Sequence, residues 1–437
     1  MRKIIANISW IFFDKIFRML AGILVGIWIA RYLGPSDFGV LNYAILFPTI
    51  LSSIAGLGLT NVLMVEYVAA SDDPLRQHSL VSNGIVMKVV GGVLMYGLVV
   101  CLNYIFNWDN PLLFLLINIT GTVLILQSSD VIDTYFQAQT KAKLSVVIKI
   151  IAFASAMVMR VYALLTHQSV LFFVIINVAE LAIGYGLIVG AYQHYSGKLI
   201  STVARVINRR VIHHLLLIAW PVMFTEFFVF VYMRIDQFMI ESLSTNRELG
   251  LYGAVLRLSE AWYFISIAIT TSFYPKIASL WDSDRPGFYK NYQQMLNLLI
   301  YISVGVAIFT SLFADSLISL LYGPKFLGGG IILSVHIWTS LFVYLGVGTS
   351  NLFVINNLQQ FVLGRTIVGA IINIVLNYWL IPRYGALGAS IGTLVAQFCS
   401  AYALNFFYAR AKPIFYLQSR ALISVLTLRR PLLRFET

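Results

Sequence analysis

The residues of this chain that could do chemistry are ionisable side chains set inside long apolar runs. Asp14 and Arg18 stand four residues apart behind Trp10, so on a helix all three share one face. Such a pair either neutralises itself or lines a water-filled cavity. Lys88 and Glu180 each lie deep in an apolar run with no opposite charge at helical spacing, which makes them stronger cavity candidates. Glu226 falls near the middle of another run, and Arg234 and Asp236 beyond it are about 160° apart around a helix axis, so they cannot serve one cavity together. Arg257 and Glu260 share a face at i, i+3, as a salt bridge between helices would also require. A polar stripe of Gln127, Asp130, Thr134, Gln137 and Lys141, with Asp133 beside it, reads as the solvated end of a helix that enters the bilayer near Leu112. A charge at mid-bilayer costs at least about 2.5 kcal/mol, so each of these residues needs a partner, a cavity or a function.

No catalytic or metal constellation accompanies them. Cys101 and Cys399 occupy separate apolar runs, and the six histidines show no ligand spacing on a helix face. Gly323-Pro324-Lys325 and Gly328-Gly329-Gly330 stand in the wrong order to cradle a nucleotide phosphate. An enzyme, a resident cofactor and a metal are therefore not expected.

The elements that must position these charges are membrane helices. The chain of 437 residues is 59% hydrophobic and 11% charged, with a mean hydropathy of +0.83, which excludes an ordinary water-soluble domain. Apolar stretches of bilayer-crossing length fall at 8–31, 38–69, 79–106, 111–138, 144–166, 170–195, 214–241, 251–281, 294–322, 328–356, 361–381 and 386–411. The expected fold is therefore an all-α integral membrane bundle of 12 transmembrane helices. With the N-terminus in the cytoplasm, nineteen Lys and Arg fall in inner segments, Arg76, Lys198, Arg205, Arg209, Arg210, Arg365 and Arg420 among them. Only Arg31, Arg160, Arg247, Lys325 and Arg383 fall in outer loops, so both termini are expected in the cytoplasm. The net charge of +12 then reflects inner loops facing an anionic leaflet rather than a nucleic-acid partner.

The longest polar interruption divides the chain into an N-lobe at 1–195 with helices 1–6, a basic cytoplasmic linker at 196–213, a C-lobe at 214–411 with helices 7–12, and a basic amphipathic tail at 412–437. Asp37-Phe38-Gly39-Val40 and Glu248-Leu249-Gly250-Leu251, offset by 211 residues, open corresponding helices of the two halves. Six spans per half make the lobes parallel repeats.

Ala30-Arg31-Tyr32-Leu33-Gly34-Pro35-Ser36-Asp37-Phe38-Gly39-Val40-Leu41 resembles the first-loop signature of bacterial O-antigen flippases, the Wzx family. Tyr322-Gly323-Pro324-Lys325-Phe326 and Tyr384-Gly385-Ala386-Leu387-Gly388-Ala389 are similar to loops of polysaccharide exporters, and the resemblance runs the length of the chain. It implies the multidrug/oligosaccharidyl-lipid/polysaccharide exporter superfamily, with two six-helix lobes forming a V in the bacterial inner membrane. The implied activity is alternating-access translocation of an undecaprenyl-pyrophosphate-linked oligosaccharide, the O-antigen repeat unit of lipopolysaccharide, to the periplasmic leaflet. On that reading Arg18, Lys88, Arg234 and Arg257 hold the phosphates in a cationic cavity. Coupling to a proton or sodium gradient falls to Asp14, Glu180 or Glu226. The O-antigen polymerase and chain-length regulator are implied partners. The rival reading is a drug or cation antiporter of the same superfamily, which needs acids to dominate the cavity; here acids and bases are level.

Overall fold

The computed structural model describes residues 2–196 and 207–427. Of the expected linker, residues 197–206 lie outside the described residues, and so do 428–437 of the expected tail, with Lys198, Arg205, Arg429, Arg430 and Arg434. All regular structure among the described residues is helical. Nine stretches of these residues, against twelve expected spans, are long and apolar enough to cross a membrane. Two of them, Ile16–Ala69 and Gln359–Phe407, run 54 and 49 residues, about twice what a bilayer needs, and each covers two expected spans. The expected span 251–281 is instead two helices of 16 residues, Asn246–Ala261 and Tyr263–Ala278.

The chain forms two compact units that interleave in sequence: residues 1–33 with 40–234, and residues 34–39 with 235–437. The division therefore falls inside a helix, between Arg234 and Ile235, and the six residues after Leu33 join the second unit.

In the first unit, α1 (Arg2–Ala55) is followed by α2 (Leu59–Ala69), α3 (Pro74–Asn107) and α4 (Pro111–Gly121). Asp73 and Asn110 cap α3 and α4, each with proline at the first helical position, where no backbone donor is lost. After the short α5 (Val123–Leu126) and a 3-10 turn at Gln127–Ser129 comes α6 (Asp130–Ala138). α7 (Ala142–Leu165) and α8 (Val170–Ser196) follow, and α9 (Arg209–Leu243) ends the unit at Arg234. Leu63, Tyr67, Leu80, Val131, Phe136 and Leu215 share one buried core that ties α2, α3, α6 and α9 together.

The second unit holds α10 (Asn246–Ala261), α11 (Tyr263–Ala278), α12 (Arg285–Leu312), α13 (Ala314–Tyr322), α14 (Gly329–His336), α15 (Thr339–Ile355), α16 (Gln359–Phe398), α17 (Leu404–Phe407) and α18 (Lys412–Leu426). Its start is built on close backbone approach. A Cβ on Gly39 would lie 1.9 Å from the Asn246 carbonyl oxygen, and a Cβ on Gly250 would lie 1.7 Å from that of Pro35. Gly39 and Gly250 are offset by 211 residues, and so are Pro35 and Asn246, so the two similar segments meet in a reciprocal contact that only glycine permits. α16 also reverses, at Gly385, whose φ of 55° breaks the helix. Beyond it, a Cβ on Gly388 would lie 2.4 Å from the Leu380 carbonyl oxygen and one on Gly392 would lie 2.2 Å from Asn377 Oδ1.

The described part of the tail, α18, folds onto the second unit. A π-helical turn at Cys399–Ala403 contains Ala401, whose carbonyl accepts from α18. Gln418 Nε2 donates to it at 3.0 Å, and Asn405 Nδ2 donates to Gln418 Oε1 at 2.9 Å; both amides are fully buried. Ile414, Leu417 and Ala421 join the core of α12 and α15 beside them.

Gly250→Ala should lower the thermal midpoint of the detergent-purified protein by several degrees, through about 2 kcal/mol of overpacking against Pro35. Gly97→Ala, with nothing within 4 Å of the added methyl, should leave it unchanged. Equal midpoints for the two variants would contradict the contact.

Candidate functional site

Within the first unit a cavity of about 420 Å³ is lined by α1, α2, α6 and α7. Asp14 and Arg18 form one wall, with Arg18 Nε 3.3 Å from Asp14 Oδ1. Asp14 is 5% exposed, whereas the Arg18 side chain keeps 41%. Asp130, Asp133, Thr134 and Gln137 of α6 form another, and Lys149 of α7 completes it. Asp133 accepts from Lys149 Nζ at 2.5 Å and from the Ser145 hydroxyl. Behind the lining, Lys88 is 2% exposed; its ammonium donates to Thr60 Oγ1 at 3.1 Å and lies 3.8 Å from Asp130 Oδ2. Three cations thus face three carboxylates, and each charge has an opposite one within reach.

The expected residues fall unequally around this cavity. Asp14 and Arg18 line it. Lys88, with no opposite charge at helical spacing on α3, reaches the cavity through Asp130 of α6. The stripe of α6, expected as a solvated helix end, lines this cavity. Breaks at Thr122 and at the 3-10 turn re-aim α6, so its phase no longer follows from α4. Glu226 is half-buried on α9 within electrostatic reach of Lys88. Glu180, expected alone, pairs at 2.7 Å with Arg160. Arg160 lies buried inside α7 rather than in an outer loop, and also donates to Asn177 Oδ1 at 2.8 Å. This ion pair is neutralised outside the cavity lining. Arg234 is half-buried at the end of the first unit, and Arg257 belongs to the second, its guanidinium 4.8 Å above the Phe38 ring. The four expected phosphate-holding cations are therefore not gathered in one unit. Lys149, outside the expected set, is legible from its spacing to Asp133. Asp133 and Lys149 stand seven and nine residues either side of Thr140, the positive-φ turn that folds α6 against α7.

The second unit has a buried polar chain of its own. Asp236, 3% exposed, accepts from the Tyr252 hydroxyl, from Thr393 Oγ1 at 3.3 Å and from the Gln237 amide at 2.8 Å. Asn373 Nδ2 donates to Thr393 Oγ1 at 3.2 Å, and Asn377 Nδ2 to Asn373 Oδ1 at 3.0 Å. Asn377 Oδ1 is left as a buried acceptor with no hydrogen-bond partner among the described residues. Among those residues no group of three His, Cys, Asp or Glu side chains is placed to hold a metal ion.

The first unit's pairing makes an asymmetric prediction. Asp130→Asn strands a buried ammonium, at a cost of about 3 kcal/mol, whereas Lys88→Met leaves only a half-exposed carboxylate that water can solvate. Thermal unfolding should show Asp130→Asn as the more destabilised single variant, with Lys88→Met/Asp130→Asn recovering most of the loss. A double variant no better than Asp130→Asn would show that the pair is not coupled.

Residues 28–329, which include the Ala30–Leu41 signature, match the family model described as "Polysaccharide biosynthesis protein". The capsular polysaccharide biosynthesis protein CapF of Staphylococcus aureus is 23% identical over 177 residues, 40% of this chain and 45% of that protein. The probable flippase AglR of Haloferax volcanii is 29% identical over 175 residues, 38% of this chain and 36% of that protein. The chain thus spans less than half the length of these relatives. In structure, a multidrug resistance MATE family transporter of the MOP superfamily, in an inward-facing conformation, is similar with a TM-score of 0.70 at 14% identity, over 94% of this chain and 99% of that one. The lipid II flippase MurJ gives 0.69 at 13% identity, over 96% and 92%. The sequence match across most of the chain and the shared helical fold together place this protein in the polysaccharide biosynthesis protein family, with the fold of MOP superfamily transporters.

Proposed function

We propose that this protein is a flippase that carries a polyprenyl-pyrophosphate-linked oligosaccharide across the bilayer by alternating access. The observation that carries the reading is the charge-paired cavity of the first unit, about 420 Å³ and lined by both signs. A sugar diphosphate head cannot cross hydrocarbon, and the polyprenyl tail needs no cavity. Arg18 and Lys149, the cations that keep some exposure, exchange their carboxylates for phosphate oxygens in charge-assisted contacts. Asp14 and Asp133 are then free to accept from sugar hydroxyls. The relatives CapF and AglR support a lipid-linked saccharide as cargo, and an O-antigen repeat unit in the bacterial inner membrane is the specific form we assign to it. The orientation that follows from the basic excess puts both termini in the cytoplasm.

Energy coupling, in this reading, comes from a proton or sodium gradient. The candidate carboxylates are Asp14 and Glu226 in the first unit and Asp236 in the second. Asp236 is a candidate because it is a buried carboxylate that accepts from the Tyr252 and Thr393 hydroxyls within the polar chain of the second unit. Glu180 suits it less, since Arg160 already compensates its charge.

Mass spectrometry of lipid-linked oligosaccharides in cells depleted of the protein tests the cargo. Completed units should accumulate on the cytoplasmic side, protected from an added glycosidase. Unchanged pools with altered efflux of small cations would assign the protein to drug export instead. Lys149→Gln/Asp133→Asn, which removes a pair without stranding a charge, should reduce surface glycan at least about tenfold while membrane abundance holds. Wild-type glycan in that variant would take the pair out of the site. In vesicles, Asp236→Asn should abolish stimulation of transport by an imposed ion gradient, and retained stimulation would exclude Asp236 from coupling.

A further inference from the structure

The second unit holds a cavity of about 680 Å³, larger than that of the first, between α12 and α18. Its lining divides by chemistry. Lys290 and Arg420 stand exposed at the rim. Gln293, Gln294 and Asn297 are half-buried in its wall, and Leu417, Ile423 and Tyr289 supply apolar surface. Ile423 and Tyr289 remain 55% and 39% exposed, so the apolar side is open to the surroundings of the unit. The Gln293 amide nitrogen is used, donating to Asn297 Oδ1 at 2.8 Å and to the Leu417 carbonyl at 3.1 Å. The oxygens are not: Gln293 Oε1 and Gln294 Oε1 are buried acceptors with no hydrogen-bond partner among the described residues.

Two cations, two unfilled acceptors and an open apolar wall define a ligand. The cations require an anion, the acceptors require O–H or N–H donors, and the wall requires hydrocarbon. The depth agrees. Arg285 at the start of α12 stacks 3.5 Å over Trp281, a residue type enriched at membrane interfaces, and Lys290 follows about 8 Å further along the helix axis. We infer that this cavity binds an anionic phospholipid whose headgroup carries hydroxyl donors, the phosphatidylglycerol class. The phosphate sits between Lys290 and Arg420, the glycerol hydroxyls donate to Gln293 and Gln294, and an acyl chain runs along Ile423. The bound lipid locks α18, the segment after the last expected span, against α12.

Native mass spectrometry of the detergent-purified full-length protein, titrated with phosphatidylglycerol, phosphatidylethanolamine and phosphatidylcholine of equal chain length, tests this. Phosphatidylglycerol should bind about tenfold more tightly than phosphatidylcholine, which has neither net charge nor hydroxyl donors. Lys290→Gln/Arg420→Gln should remove that preference, and Arg285→Gln, outside the lining, should keep it. Glycerol phosphate should fail to compete at millimolar concentration; effective competition would assign the site to a soluble phosphate and overturn the lipid. A wild type that binds phosphatidylcholine equally well, or a preference for phosphatidylethanolamine, would also overturn it. Should the double variant not fold, the ranking of lipids on the wild type decides.

Discussion

An ionised side chain in hydrocarbon must be compensated, and the first unit is organised around that requirement. Arg18 faces Asp14, Lys88 faces Asp130, Lys149 holds Asp133 and Arg160 holds Glu180. Three of these pairs surround one cavity, and the fourth binds α7 to α8 outside its lining. Pairing keeps the cavity near neutrality, because each buried charge has an opposite one beside it. Under the proposed function it also defines what a cargo must bring. A ligand that carries anions and hydroxyls can take over both members of a pair, whereas a lone cation would leave an arginine or lysine stranded.

The second unit solves a different problem, that of bringing backbones together. Gly39 against Asn246 and Gly250 against Pro35 form a contact in which each half of the internal similarity meets the other. Gly388 and Gly392 allow the return of α16 to lie on Leu380 and Asn377. That closeness is what threads Thr393 between Asn373 and Asp236. Small residues in membrane helices permit packing that side chains would forbid, and here they also assemble the buried polar chain.

Much of this was legible in the sequence, for identifiable reasons. Hydropathy marks membrane helices because the bilayer fixes their length and composition, and the Gly-Pro corner at Gly34 was visible because proline and glycine act locally. The offset of 211 residues was visible as similarity, although nothing in it says that the two segments touch. The expected count of helices and the nine long stretches differ where glycine breaks at Gly34 and Gly385 lie inside continuous hydrogen-bonded runs, and where α10 and α11 divide one expected span. Partners across helices were the largest gap. Glu180 and Lys88 looked isolated because only i±3 and i±4 neighbours can be read from one chain, and their partners Arg160 and Asp130 lie 20 and 42 residues away. That the α6 stripe lines a cavity is not legible, because a 3-10 turn upstream resets helical phase and no residue at Gln127–Ser129 announces such a turn.

The proposed activity is movement of a lipid-linked saccharide from one leaflet to the other. Its most direct test is reconstitution of the purified protein into proteoliposomes with a fluorescent polyprenyl-pyrophosphate-linked oligosaccharide in the inner leaflet. An ion gradient is imposed and digestion by an external glycosidase is followed with time. Protein-dependent exposure of the oligosaccharide is expected, faster with the gradient than without it. Exposure no faster than in protein-free liposomes, with the same protein folded and the gradient verified, would contradict it.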